Sequence, residues 1–284
     1  MAVGSSLKKE IVSIKQIAKI TEAMKLVATA KLKKAGKRIS TSKPYFAELY
    51  TIFHDIISQT DSSIYQEKTG QVKDQRTCWV IVNSNLGLCG GYNVNINKLV
   101  LKELKQGDYI IAIGTKAVSF YENHNFKVEK IYDDIDINFT YDEARNIAME
   151  ILSQFNQGTF NCIKIAYTKF INNVTFEPTI LQLLPIAKKP LGENSKERVL
   201  TEFEPDPQTI LDNAVPMYLN AIFFSTIVES QVSEQASRRV AMENATDNAH
   251  DMLDDLSLEY NRKRQAAITQ EISEIIAGAN AQES

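Results

Sequence analysis

Two long stretches of the chain contain neither glycine nor proline, and their apolar residues recur every three or four positions. These stretches are residues 5–35 and 217–277. Steps of three and four place side chains on one side of an α-helix, as in the seam of a coiled coil. The sequence therefore predicts two long helices that pair with each other. The seam residues are Leu7, Ile11, Ile14, Ala18, Thr21, Met24 and Ala28 near the N-terminus, and Ala245, Ala249, Met252, Leu256, Tyr260, Ile268, Ile272 and Ile275 near the C-terminus.

The charges of these two stretches are complementary. Residues 7–38 carry ten basic and two acidic side chains, whereas residues 229–274 carry ten acidic and five basic ones. The two helices are plausible partners, although a solvated face explains each charge run equally well. A basic helix can also bind phosphate backbones, but no aromatic interleaving accompanies it. The formal net charge of −3 further argues against a nucleic-acid-binding protein.

Between the two helices, short apolar runs alternate with helical stretches. This alternation predicts a Rossmann-like α/β domain with a mostly parallel sheet. Thr140 and Glu143 form a predicted capping box at the start of one helix. The predicted strands are residues 77–82, 109–113, 127–132, 162–167 and 179–185, and the predicted helices are residues 94–104, 116–122 and 141–155.

The predicted organisation has three parts. An N-terminal helix occupies residues 1–60, the α/β domain occupies residues 72–200, and a C-terminal helix occupies residues 207–284. The two terminal helices flank the domain in sequence, and we expect them to pair as an antiparallel coiled coil.

A glycine-rich segment, Gly87-Leu88-Cys89-Gly90-Gly91, follows the first strand and precedes a helix. A dinucleotide-binding turn occupies this position in related α/β folds. However, the spacing matches neither G-x-G-x-x-G nor G-x-x-x-x-G-K-[ST], so a tight structural turn is favoured over a cofactor site. Cys89 has no identifiable histidine partner for nucleophilic catalysis. We therefore predict no catalytic residue and no cofactor.

The three cysteines and three histidines are scattered, which argues against a disulfide framework and a metal site. The N-terminus lacks the continuous apolar segment of a signal peptide. No run of about 18 apolar residues occurs, so no direct membrane insertion is expected. The sequence predicts a cytoplasmic protein.

Several segments, in order along the whole chain, resemble one protein family. The resemblance is strongest at residues 233–279, which begin SEQASRRVAMENATDNAHDM. Together the segments resemble the gamma subunits of F-type ATP synthases. The other segments are ITEAMKLVATAKLKKA at 20–35, LGLCGGYN at 86–93, FEPTILQLLPI at 176–186 and EPDP at 204–207.

The resemblance implies a central-stalk rotor subunit that is not itself catalytic. Its partners would be three alpha and three beta subunits of the catalytic head, the epsilon subunit and the proton-translocating membrane rotor ring. Rotation of the paired helices would couple to ATP synthesis or hydrolysis in the head. The implied location is cytoplasmic, peripheral on the inner face of the cell membrane.

Site residues follow from the same resemblance. Glu204 matches a residue of the epsilon and rotor-ring interface. Met24 taken alone is more typical of a coiled-coil core, and Arg238 could simply pair with Glu234 one helical turn away. The residues that match the family's contact with the catalytic head are Met24, Arg238, Gln265, Thr269 and Glu271.

The chain also departs from the family pattern. Asn85 and Leu86 replace a common acidic–arginine pair, and Thr115 replaces a frequent arginine. Glu10 and Val12 stand where basic residues are common. These departures leave a second hypothesis open, the shaft of a specialised F-type-like ATPase that drives something other than a proton channel. A hypothesis of another class is a coiled-coil scaffold or nucleic-acid-binding protein.

Overall fold

The computed structural model describes residues 2–59, 76–186 and 207–282. The chain forms two compact units, and both terminal helices contribute to each of them. The helical unit comprises Met1–Ala28 and Arg239–Ser284, and the α/β unit comprises Thr29–Arg238. Among the described residues, no helix combines the length and the apolar character needed to cross a membrane.

The described chain contains five helices and five strands, which alternate except that β5 follows β4 directly. Each predicted strand and helix is present, with ends displaced by up to three residues. In order they are α1 (Ala2–Gln59), β1 (Thr77–Val82), α2 (Tyr92–Leu101), β2 (Tyr109–Ile113), α3 (Thr115–Asn123), β3 (Val128–Tyr132), α4 (Tyr141–Asn156), β4 (Cys162–Phe170), β5 (Phe176–Leu184) and α5 (Pro207–Gln282).

The five strands form one sheet in the order β3-β2-β1-β4-β5. The first four strands are parallel, whereas β5 runs antiparallel to β4. The connection between β4 and β5, residues 171–175, is too short for a parallel crossover. The two strands therefore form a hairpin. The prediction of a mostly parallel sheet is confirmed.

Helices cover both faces of the sheet. On one face, Trp79 and Ile81 of β1 pack with apolar residues of α2 and α3. On the other face, Val80 and Val82 pack with α4 and with the parts of α1 and α5 that belong to the α/β unit. Because β1 is covered on both sides, five of its six residues are buried, which explains its continuous apolar run.

Within the α/β unit, α1 and α5 run antiparallel. The rings of Phe53 and Tyr218 stack with centroids 4.2 Å apart, and those of Phe46 and Phe224 lie 5.9 Å apart. Residue numbers fall along α1 as they rise along α5, which fixes the relative direction.

The helical unit contains the same two helices, joined by a seam of small residues. Leu7, Ala18 and Ala28 of α1 are buried, as the apolar spacing predicts. The Thr246 hydroxyl donates a 2.8 Å hydrogen bond to the Thr21 hydroxyl. Small side chains and this bond allow close approach of the two helices, and the predicted antiparallel coiled coil is confirmed.

The predicted C-terminal seam needs two corrections. Met252 is 48% exposed, and its neighbour Leu253 is half-buried instead. The three- and four-residue spacing is compatible with either Met252 or Leu253 at this seam position. In the folded helix pair, Leu253 occupies it. All side chains from Asn261 to Gly278 are exposed, so three further seam residues have no seam within the described chain: Ile268, Ile272 and Ile275, which are 48, 52 and 70% exposed.

The capping box at the start of α4 is present as predicted. The Glu143 amide donates to the Thr140 hydroxyl at 3.3 Å, and the Thr140 amide donates to the Glu143 carboxylate at 2.6 Å. Two amide groups that lack partners within the helix are thereby satisfied.

Gly114, between β2 and α3, yields a prediction about stability. Its φ is +91°, and a Cβ atom there would lie 2.4 Å from the Asn83 carbonyl oxygen. We expect Gly114→Ala to lower the free energy of unfolding by about 2 kcal/mol or more, because backbone strain adds to this collision. Denaturant unfolding followed by circular dichroism measures the change.

Gly36 provides the matched control. It lies inside α1, and a Cβ atom there meets no atom within 4 Å. Gly36→Ala should raise the free energy of unfolding by about 0.5–1 kcal/mol, because alanine favours helix interiors. Equal effects of the two substitutions would contradict the strain at Gly114.

Candidate interaction surfaces

Met24 lies half-buried on α1 of the helical unit, at the seam position that its spacing predicts. The adjacent Lys25 forms an ion pair with Glu22 at 2.8 Å. The hydrogen bond with Glu22 raises the pKa of Lys25, and the carboxylates of Glu243 and Asp247 on α5 add to this effect. The expected charge complementarity between the two helices therefore exists beside Met24.

Gln265, Thr269 and Glu271 are all exposed on the last part of α5. Gln265 and Thr269 are four positions apart and share one side of the helix, whereas Glu271 lies on another side. They form no cluster with one another. With the exposed isoleucines at 268, 272 and 275, they make this helix end a mixed apolar and polar surface.

Glu204, the residue matched to the epsilon and rotor-ring interface, lies outside the described residues.

The glycine-rich segment forms a tight loop around a buried cysteine. Leu88 and Gly90 have φ values of 60° and 58°, which fold the segment back on itself. The Cys89 sulfur accepts a 3.3 Å hydrogen bond from the Asn93 amide. Leu86 and Leu88 point outward and are 72 and 63% exposed. The loop thus buries its thiol and presents two leucines.

Helix α5 holds this loop in place through two consecutive residues. The Arg238 Nη2 donates to the carbonyl oxygens of Leu86 and Gly87 at 3.0 and 3.3 Å. The Ser237 hydroxyl donates to the Cys89 carbonyl oxygen at 2.7 Å. We call this set of contacts the loop clamp. It lies entirely within the α/β unit.

Glu234 completes the electrostatics of the clamp. Its carboxylate accepts a 2.5 Å hydrogen bond from the Arg238 Nη1, and both side chains are largely buried. Burial raises the pKa of Glu234, and the opposite charge of Arg238 works against that rise. The ion pair with Glu234 that the spacing allowed for Arg238 is therefore present. The additional bonds to the loop were not predicted.

Ser237 is the functional candidate that sequence reasoning missed. A serine on a helix surface that is rich in small residues carries no distinguishing signal. Its role depends on a carbonyl 148 positions away in the chain.

Two of the unusual residues meet at one corner of the α/β unit. The Asn85 carboxamide oxygen accepts a 3.0 Å hydrogen bond from the Thr115 amide, and the Thr115 hydroxyl donates to the Asn85 carbonyl at 2.9 Å. Asn85 also donates to the Asp133 carbonyl at 2.8 Å. The two neutral residues satisfy each other and cap the start of α3.

Sequence comparison identifies the family. A family model described as ATP synthase matches residues 4–282. The ATP synthase gamma chain of Mycoplasma mycoides subsp. mycoides is 53% identical over 276 residues, which cover 97% of this chain and 98% of that protein. The chain belongs to the ATP synthase gamma chain family. The gamma chain of Mesoplasma florum is 52% identical over 281 residues and 99% of each chain.

Solved structures share the fold of this chain. A chain of the Euglena gracilis mitochondrial ATP synthase, in the structure of its OSCP, F1 and c-ring assembly, aligns with a TM-score of 0.72 at 17% identity. The alignment covers 99% of this chain and 95% of that chain. The resemblance inferred from the sequence motifs is thus confirmed, and the chain is a gamma-type subunit of F-type ATP synthase.

The loop clamp makes a prediction about the reactivity of Cys89. Arg238→Gln removes the charge-assisted bonds to the loop, and hydrogen bonds to charged groups contribute more than neutral ones. We expect alkylation of Cys89 to accelerate by about tenfold or more, because the loop opens more often. Peptide mass analysis after timed alkylation measures the rate.

Two controls accompany this measurement. Cys78, fully buried in β1, reports any general unfolding in the same sample. Arg239→Gln removes the neighbouring arginine, which pairs with Glu243 at 3.1 Å. Acceleration at both cysteines, or an equal effect of Arg239→Gln, would contradict the clamp.

Proposed function

We propose that this chain is the central-stalk rotor of its ATP synthase. It couples rotation to ATP synthesis and hydrolysis in a head of three alpha and three beta subunits, and it links that head to the proton-translocating membrane ring. The chain itself is non-catalytic and binds no cofactor for this role, since the catalytic sites belong to the other subunits.

The exposed end of α5 is the observation that carries this proposal. From Asn261 to Gly278 the helix has no buried side chain, yet its isoleucines recur at helical spacing. An apolar stripe on a helix is stable in water when another protein covers it, so this end is suited to a surrounding ring of subunits. An off-centre helix inside such a ring contacts each catalytic site differently and thereby shifts the conformation of each.

The residues proposed to meet the ring divide into two groups. Gln265, Thr269 and Glu271 are exposed and free to exchange partners as the rotor turns. Contacts between exposed polar and charged groups contribute only about 0–1 kcal/mol each, so they permit rotation. Met24 and Arg238 are proposed to act closer to the seam and the loop, where each already has contacts within the chain.

The chain as a whole divides into a shaft and a base. We propose that residues 1–60 and 207–284 act as the shaft and that residues 72–200 form a foot. The foot would bind epsilon and the membrane ring, with Glu204 near that contact. The complex would then lie on the cytoplasmic, inner face of the cell membrane, with this subunit peripheral to it.

Asn85 and Thr115 give no support to the hypothesis of a specialised F-type-like ATPase. Asn85 and Thr115 satisfy each other within the chain, so their replacement of charged residues does not require a different partner. The conventional central stalk is therefore the preferred assignment.

A rotation assay tests the proposal directly. Val174, on the β4–β5 hairpin, is 69% exposed, and all three native cysteines are buried. A Val174→Cys chain can be biotinylated at that position and assembled with alpha and beta subunits that lack reactive cysteines. With the head fixed to a surface, we expect a bead attached at residue 174 to turn in one direction when ATP is added.

Truncation supplies the control. Removing residues 275–284 deletes part of the exposed helix end and leaves the loop clamp intact. This variant should assemble less tightly or turn with less coupling to ATP hydrolysis. A bead that stays fixed on a fully active head, or a chain that associates with no nucleotide-binding subunits, would refute the rotor assignment.

A further inference from the structure

Strand β4 extends beyond the end of its neighbour β1. The last β1–β4 pair joins Ile81 to Ala166, whereas β4 continues to Phe170. Strand β5 pairs with β4 along this extension, up to the pair of Phe170 and Phe176. On the side where β1 has ended, the backbone groups of the extension need partners from another element.

Two serines of α5 take the place of a strand beside Thr168. The Thr168 amide donates to the Ser230 hydroxyl at 3.2 Å, and the Ser233 hydroxyl donates to the Thr168 carbonyl oxygen at 2.9 Å. All three residues are buried. The two serines are three positions apart and therefore share one side of the helix. One turn of α5 thus satisfies both backbone groups of a single strand residue. We call Ser230 and Ser233 the serine pair.

Further hydrogen bonds hold the serine pair in place. The Tyr92 hydroxyl of α2 lies 2.7 Å from the Ser230 hydroxyl. The Ser233 hydroxyl also lies 3.1 Å from the Glu229 carbonyl oxygen of its own helix, so it bridges helix and strand. The Glu229 carboxylate accepts a 3.3 Å hydrogen bond from the Phe170 amide, the next inward-facing amide of the extension. The end of β4 is therefore bonded to α5 at two successive positions.

These bonds restrain α5 in a way that its apolar contacts do not. Apolar side chains of α5, such as Phe223 and Ile227, pack in the same core as residues of β1 and β4. Apolar burial has no preferred direction. A hydrogen bond, in contrast, weakens steeply when its angle or length departs from the preferred values. A small rotation of α5 about its axis therefore breaks the serine bonds while most of the apolar surface stays covered.

We propose that Ser230 and Ser233 are positioning residues that transmit torque between helix α5 and the sheet. The inference rests on the proposed rotor function, in which α5 belongs to the shaft and the sheet belongs to the foot. The serine pair acts through the backbone of Thr168, just before the β4–β5 hairpin turn. When α5 turns, β4 and β5 turn with it.

The angular fluctuation of a bead on the hairpin measures this link. The bead is attached at Val174→Cys, and a non-hydrolysable ATP analogue holds the head in one state. The double variant Ser230→Ala/Ser233→Ala should raise the variance of the bead angle by about twofold or more, because each lost hydrogen bond lowers the population of the bonded setting by about two- to tenfold. The rate of ATP hydrolysis by the head should stay unchanged, which distinguishes a loosened link from a misfolded chain.

Two controls locate the effect. Met217 lies on α5 itself and is 55% exposed, so a bead attached at Met217→Cys bypasses the link to the sheet. Its variance should be the same with and without the serine substitutions. Thr226→Ala removes another buried hydroxyl of α5, one that donates to the Ile222 carbonyl oxygen of the same helix at 2.8 Å. This variant should leave the variance at residue 174 unchanged.

If the double variant does not assemble, Ser233→Ala alone decides the question. It keeps the Ser230 bond to Thr168 and should give a smaller rise in variance at residue 174. Unchanged variance there in the variant that assembles would overturn the proposal. An equal rise at residue 217, or an equal effect of Thr226→Ala, would overturn it too. A bead on the chain with both serines that fails to turn with ATP would instead refute the rotor assignment, so the two failures are distinguishable.

Discussion

The buried fraction of helix α5 falls from its start to its end. The rest of the structure depends on this gradient of burial along one helix. From Ala214 to Val240, every side chain except Met217 is buried or half-buried. From there to Tyr260 one stripe is covered, and from Asn261 to Gly278 no side chain is. One continuous helix thus serves as a core element, as half of a helix pair and as an exposed end. Its apolar content follows these environments, since a helix covered on most sides needs apolar or hydrogen-bonded residues around its circumference.

The loop clamp ties the core part of α5 to the glycine-rich loop. Its polar groups are buried, which is favourable only because each has a partner: Arg238 has Glu234 and two carbonyls, and Ser237 has a third carbonyl. Breaking such a pair on one side leaves a buried charge uncompensated, which is far more costly than losing a surface ion pair. The clamp therefore gives the loop one defined position and leaves Leu86 and Leu88 exposed.

The difference in cost between buried and exposed polar contacts also distinguishes the lasting contacts of a rotor from its exchangeable ones. The part-buried Thr21–Thr246 hydrogen bond and the loop clamp hold segments of the chain together, each within its own unit. Exposed residues at the end of α5 are available for contacts that form and break. A rotor needs both properties, because torque passes through the first kind and rotation requires that the second kind stay weak.

The sequence by itself determined the two long helices, the buried spacing of Leu7, Ala18 and Ala28, the strand order along the chain and the capping box at Thr140. These features depend on local periodicity and on neighbours within a few residues. Family membership could also be inferred, because several motifs agreed along the whole chain. Only the tertiary structure decided that Leu253 rather than Met252 enters the seam, that Ser237 and Arg238 hold the glycine loop, and that Ser230 and Ser233 bond to Thr168. These features depend on which distant segments meet, and a side chain's spacing along its own helix or strand does not specify its partner elsewhere in the chain.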